Sequence, residues 1–260
     1  MKGKILNIED LSKIEEIEHK YLIKYYHFLK FAEDEMFYGF KTKEFIKEDW
    51  INFWDDEGIS DFAIGAERIV YSILNGKGIG QPNSSPVGSD LFFEVEDAFI
   101  HIDLKTVQLE NIGDFTNSIF IGKNQNSYKG EIVVNNGKAI REYVPSLPTY
   151  YTIHKNGVSK EKICLTYFII ILYDKATLDI KVIAIICMPN GKLQQIYGSK
   201  TLKAGKNLDK ARFNMKEVNK FTLLNQAPYR IKVVYFDENM DESLKKKLSL
   251  YEGIWLKSKS

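Results

Sequence analysis

Two stretches, residues 162–173 and 178–188, are almost continuously apolar and rich in β-branched side chains. Runs of that length and composition read as buried strands. The longest uninterrupted apolar runs, Tyr167 to Tyr173 and Val182 to Met188, are far too short to span a membrane. Around these strands the patterning predicts helices near 8–31 and 42–56 and over 60–76. It also predicts a strand beginning at Tyr229, helical residues at 207–219 and a last helix at 240–250. Short strands and irregular structure fill the region up to about 160. Helices, then a mixed sheet, then a helix define an α/β fold with a mixed central sheet flanked by helices. At 260 residues the chain can bury one sizeable core. We therefore expect a single domain over 1–260, with 1–58 as a helical N-terminal elaboration and 59–260 as the core.

The residues with the most chemistry lie just before the apolar strands. Leu91-Phe92-Phe93-Glu94-Val95 and Ala98-Phe99-Ile100-His101-Ile102-Asp103-Leu104-Lys105 alternate as two strands around a polar turn at Glu96-Asp97. Leu91, Phe93 and Val95 share one face, as do Ile100, Ile102 and Leu104. Asp103 and Lys105 project from the other face, beside His101. A two-residue turn pairs 95 with 98 and sets Asp90 opposite Asp103, with Cβ atoms about 4.5–5.5 Å apart. Two carboxylates that close repel each other, and one pKa rises unless a cation intervenes. A hard divalent ion with oxygen ligands, Mg²⁺ first and Mn²⁺ as substitute, resolves that conflict. A lysine two residues on, on the same face, can position and activate a metal-bound water.

Asp90 with Asp103-Leu104-Lys105 resembles the PD-(D/E)xK nuclease superfamily, which includes many restriction endonucleases. Ser89 stands where proline is usual, a position that carries no ligand, and the resemblance spans roughly residues 60–105. It implies a restriction-endonuclease-like core and Mg²⁺-dependent hydrolysis of phosphodiester bonds in double-stranded DNA at a short specific site. By the same resemblance Asp90, Asp103 and the Leu104 carbonyl ligate the metal, Lys105 activates the water, and Glu67 on the preceding helix supports the metal or its water. The alternatives are a structure-specific repair or recombination nuclease, or a non-catalytic DNA-binding protein whose acids merely form the polar face of a hairpin. Two other acid-x-lysine triplets compete. Glu18-His19-Lys20 reads as a solvated helix face, and Asp179-Ile180-Lys181 follows a run with no acid in its interior.

Charge is distributed unevenly. The whole chain carries +1, whereas residues 1–60 hold 14 acidic and 9 basic side chains. Residues 192–220 hold 8 basic side chains against Asp209 and Glu217, the footprint of a phosphate-backbone partner. Lys192, Lys200, Lys203 and Lys206 are its first lysines. The polar loop Gly122–Gly130 adds Lys123, Asn124, Gln125, Asn126 and Lys129, whose amides and cations suit base edges or phosphates. Asn135-Asn136-Gly137-Lys138 reads as a hairpin turn. The aromatic, acidic N-terminal region suits the core or a protomer contact, and two-fold cleavage of two antiparallel strands calls for a homodimer. Met1–Asn7 lacks the apolar core of a signal peptide. Cys164 and Cys187 fall in buried strands, which together with that start points to a reducing cytoplasm. The four histidines lack zinc spacing.

Overall fold

The computed structural model describes residues 7–50, 62–76, 81–82, 91–134, 139–205, 210–216 and 230–259, with the backbone alone for 42–50 and 81–82. Helix α1 (Ile8–Phe31) is capped by Asn7, whose side chain accepts from the Asp10 N–H at 2.7 Å. Leu11, Ile14, Leu22, Tyr25 and Leu29 form its buried stripe. Helix α2 (Glu33–Trp50) follows at once, starting well upstream of the expected residue 42, with Gly39 carried inside the helix and not ending it. Residues 51–56 of that expected helix lie outside the described residues. Helix α3 (Phe62–Gly76) occupies its predicted place.

A short strand β1 (Gln81–Pro82) precedes the hairpin of β2 (Leu91–Glu94) and β3 (Ala98–Gln108). After a short helix α4 (Gly113–Thr116) come β4 (Ile119–Ile121), the hairpin strands β5 (Gly130–Val134) and β6 (Ala139–Tyr143), and β7 (Tyr150–Lys155). The two long apolar runs are β8 (Val158–Tyr173) and β9 (Ile180–Met188). A one-turn helix α5 (Gln194–Tyr197) leads to β10 (Leu202–Ala204), β11 (Ala211–Phe213) and β12 (Ile231–Phe236). Helices α6 (Glu242–Lys247) and α7 (Ser249–Lys259) close the described chain. Residues 211–213 are a strand and not the expected helix; the pattern there was too short to separate the two periods. Across the expected Asn135–Lys138 turn, β5 and β6 pair antiparallel; the turn itself lies outside the described residues.

The central sheet has the order β1-β2-β3-β8-β9-β12, with β7 also paired to β8. Among the described residues only β3 and β8 run parallel within it, so the sheet is mixed as expected. Strands β8 and β9 are buried along nearly all their shared length. Tyr167 of β8 donates its hydroxyl to the Glu18 carbonyl at 2.7 Å, which seats α1 on the face shared by Ile100, Ile102 and Tyr167. Helix α1, helix α3 and this face form one apolar core. Alternation sends His101, Asp103 and Lys105 to the other face. There a smaller cluster of Phe92, Phe99, Leu147 and Cys164 underlies them. A second sheet, β10-β11-β4, stands apart from the central one.

Glu18 corrects the reading of its triplet as a solvated face. It is wholly buried, with Arg230 at 2.6 Å, and Arg230 also lies 3.4 Å from Glu15. The Asn190 N–H donates to Glu18 at 2.6 Å, and the Tyr197 hydroxyl donates to Glu15 at 3.0 Å.

Candidate active site

The β2–β3 hairpin has the predicted register: Leu91 faces Ile102, Phe92 faces His101 and Phe93 faces Ile100, and the Val95 N–H closes the turn onto Ala98 at 3.0 Å. Asp90, one residue before β2, lies outside the described residues. Asp103 does not: its side chain is 2% exposed and forms an ion pair with Lys105. Lys105, 20% exposed, also lies within 6 Å of the Phe120 and Phe168 rings, at 5.8 and 5.9 Å. Burial of a carboxylate is tolerable only when it is paired and hydrogen-bonded. Here Lys105 supplies the charge and Gln125 the hydrogen bond, its Nε2 donating to Asp103 Oδ1 at 2.9 Å. His101, 0% exposed and opposite Thr166 on β8, is buried in the sheet and has a structural place.

Leu104 presents its main chain to the edge of β3 that faces away from β8. Its N–H donates to the Tyr71 hydroxyl of α3 at 3.1 Å. In an extended strand a residue's carbonyl leaves on the same side as its N–H, so the Leu104 carbonyl opens on that edge too. Glu67 is half-buried one helical turn before Tyr71, hence on the same side of α3. Tyr71 was missed as a site residue, although its i,i+4 spacing from Glu67 was visible in the sequence. Among the described residues no group of three or more His, Cys, Asp or Glu side chains gathers.

The loop after β4 is fixed from within. Asn126 is buried, and its amide donates to the Gly122 carbonyl at 3.0 Å and the Tyr143 hydroxyl at 2.8 Å. Its Oδ1 accepts from the Tyr128 N–H at 2.9 Å. Asn126 is thereby committed to holding the loop, and its side chain is not offered outward as expected. Gln125 points in towards Asp103. Lys123 remains exposed, Asn124 half-buried, and Lys129 pairs with Glu142 at 2.6 Å near the surface.

The lysine-rich segment abuts this loop. Gly191 donates its N–H to Ser127 Oγ at 2.9 Å, and a Cβ there would sit 2.0 Å from the Ser127 carbonyl oxygen. Only glycine permits that approach. The Tyr128 hydroxyl donates to the Gly198 carbonyl at 2.6 Å. So Lys192, Lys200 and Lys203 are carried by a segment packed on the loop bearing Lys123 and Lys129, while Lys206 lies outside the described residues. By contrast, Lys181 of the third triplet lies 3.0 Å from Asp237 and 3.8 Å from Asp179. The carboxylate partner that β8 did not offer comes from the end of β12. That group sits beside Phe37, Phe40 and Tyr235, on a wall without the lysine-rich segment.

A mixed sheet with an acid and a lysine two residues apart on a strand next to a hairpin edge is the architecture of a restriction-endonuclease-like nuclease. The solved structures bear this out at the level of fold. The restriction endonuclease BglI, bound to its DNA recognition sequence, matches with a TM-score of 0.65 at 16% identity, over 89% of this chain and 95% of its own. Tetrameric restriction endonuclease SfiI, bound to cognate DNA, matches with a TM-score of 0.64 at 13% identity, over 88% and 87%. The family model of the type II restriction enzyme MwoI N-terminal domain matches residues 10–177, and that of the MwoI central domain matches residues 180–236. The chain belongs to this MwoI family of type II restriction enzymes, and is a site-specific endonuclease of double-stranded DNA. No curated protein matches its sequence.

Proposed function

We propose that this enzyme cleaves its DNA site with Mg²⁺ held by Asp90, Asp103 and the Leu104 carbonyl. The observation that carries the reading is the buried Asp103 clamped to Lys105 on β3, which pairs with β2 in the predicted register. The Leu91–Ile102 register, continued by one residue, would set Asp90 opposite Asp103. The donor set is oxygen only, which suits a hard cation. The bound ion would stabilise charge on the attacked phosphate and lower the pKa of a bound water. Lys105 would hold and activate the attacking water, with Glu67 as support from α3. In-line attack would leave a 5′-phosphate. Lys123, Asn124, Lys129, Lys192, Lys200, Lys203 and Lys206 would meet the DNA, chiefly its phosphates. The loop that bonds Asp103 through Gln125 also carries Lys123 and is bonded through Ser127 to Gly191, beside Lys192, which favours this site over the Lys181 group.

We read the whole chain as a single cytoplasmic nuclease domain, which the shared core of α1, α3 and the sheet supports. No described helix is long and apolar enough to cross a membrane. The test of the metal is chelation. Excess EDTA should abolish cleavage and Mn²⁺ should restore it. The far-ultraviolet circular dichroism should stay unchanged, because the apolar core and not the ion holds the hairpin. Full cleavage in EDTA would refute the metal site.

We further propose a two-fold homodimer with one active site for each strand of the duplex. One hairpin can attack one phosphodiester at a time, and the net-negative, aromatic N-terminal region suits a protein contact better than DNA. Light scattering at micromolar concentration should give twice the chain mass for the protein, and that mass plus one duplex when cognate duplex is added. A strict monomer that cuts both strands in one encounter would contradict it.

A further inference from the structure

The Gln125 side chain has both ends engaged around the two groups assigned to the reaction. Its Nε2 donates to Asp103 Oδ1 at 2.9 Å. Its Oε1 accepts from the Gly122 N–H at 2.8 Å and lies 3.5 Å from Lys105 Nζ. The direction of the amide is not interchangeable. Gly122 offers a backbone donor, so the oxygen must face it, and the NH₂ group is left for the carboxylate. Lys105 is thus flanked by Asp103 on one side and the Gln125 oxygen on the other.

A neutral amide is the group this position needs. It satisfies one oxygen of a buried carboxylate without cancelling its charge, so the charge stays available to a cation. A second cation beside Lys105 would compete with the metal for Asp103, and a carboxylate would repel it. The amide also leaves the other Asp103 oxygen to Lys105.

Gln125 stands on a stiff support. The Gly122 carbonyl accepts from Asn126 at 3.0 Å and from the Tyr143 hydroxyl at 3.0 Å, and the Ser146 N–H donates to the Lys123 carbonyl at 2.7 Å. Lys123, two residues from Gln125, is exposed, and Ser127 is bonded to Gly191 of the lysine-rich segment. Any displacement of this unit moves the amide that holds Asp103.

Building on the assignment of Asp103 and Lys105 to catalysis, we propose that Gln125 is a positioning residue. It ties the carboxylate and the lysine to the 122–130 loop, so that seating of the loop on DNA sets the geometry of the reacting pair. Gln125 therefore serves the rate of cleavage and not base recognition, the role its place in a polar loop first suggests.

The test compares wild type, Gln125→Ala, Gln125→Glu and Lys105→Ala. The readouts are single-turnover cleavage rate at saturating protein, DNA affinity without metal, the Mg²⁺ concentration giving half the rate, and the melting temperature. Gln125→Glu keeps an acceptor for the Gly122 N–H and replaces the donor to Asp103 by a repelling carboxylate, whereas Gln125→Ala removes both, so a melting temperature near wild type in either variant separates the positioning role from loss of the fold. Both Gln125 variants should cleave about 10- to 100-fold more slowly and need more Mg²⁺. Their DNA affinity should stay within about twofold of wild type, since Gln125 makes no phosphate contact in this reading. Wild-type rates in Gln125→Glu would overturn the positioning role, as would a DNA affinity that weakens in step with the rate. Lys105→Ala separates the two levels. If it is inactive while Gln125→Glu is normal, only the Gln125 proposal falls; if Lys105→Ala itself cleaves normally, the site assignment falls with it.

Discussion

Arg230→Ala should unfold this protein at temperatures where the wild type is stable. Arg230 is 1% exposed, and it answers two buried acids, Glu18 at 2.6 Å and Glu15 at 3.4 Å. Truncating the cation leaves those charges without their counter-ion. Removing one partner of a buried pair typically costs about 3–5 kcal/mol, against a total stability of roughly 5–15 kcal/mol. At about 2–4 °C per kcal/mol for a chain of this size, the melting temperature should fall by roughly 6–20 °C. Thermal unfolding followed by circular dichroism checks this, and a shift under about 2 °C on the same scale would show that the network is dispensable.

The same variant has a pH signature. Burial pushes the Glu18 carboxyl up from its ordinary 4.5, while the guanidinium and the Asn190 N–H pull it back. Without Arg230 the upward push is largely unopposed, so the folded state binds a proton more tightly than the unfolded chain does. A raised folded pKa gives stability that is present at low pH and lost as pH rises through that value. The deficit of Arg230→Ala should therefore shrink as pH falls from the raised value towards 4.5.

The hairpin register was legible because two physical signals agreed. Apolar alternation fixed which side chains share a face, and a two-residue turn fixed which residues oppose. Strands β8 and β9 were legible from length and β-branched content, and α1 from its helical patterning. Glu18 was not legible, because its partner lies 212 positions away and a helical surface pattern carries no trace of it. Gln125 looked like any loop amide; its inward turn depends on a backbone donor at Gly122 and a carboxylate on another strand. The Asp237 partner of Lys181 likewise comes from a strand joined only in the folded sheet. Long-range polar pairing is set by tertiary contact and leaves no local period to read.

The second large effect falls on Lys105, and it tests the central claim most directly. Lys105 forms an ion pair with the buried Asp103 carboxylate. A positioned group that assists proton transfer is worth about 10²- to 10⁴-fold in rate. DNA affinity in this account rests instead on the lysine-rich segment and its neighbouring loop. Lys105→Ala and wild type should be mixed with a plasmid and Mg²⁺, and with labelled duplex in EDTA to follow binding alone. The wild type should give discrete fragments. The variant should bind the duplex as tightly and produce those fragments roughly 10²- to 10⁴-fold more slowly. Fragments released by purified Lys105→Ala at the wild-type rate would contradict the assignment of the β2–β3 hairpin as the catalytic site.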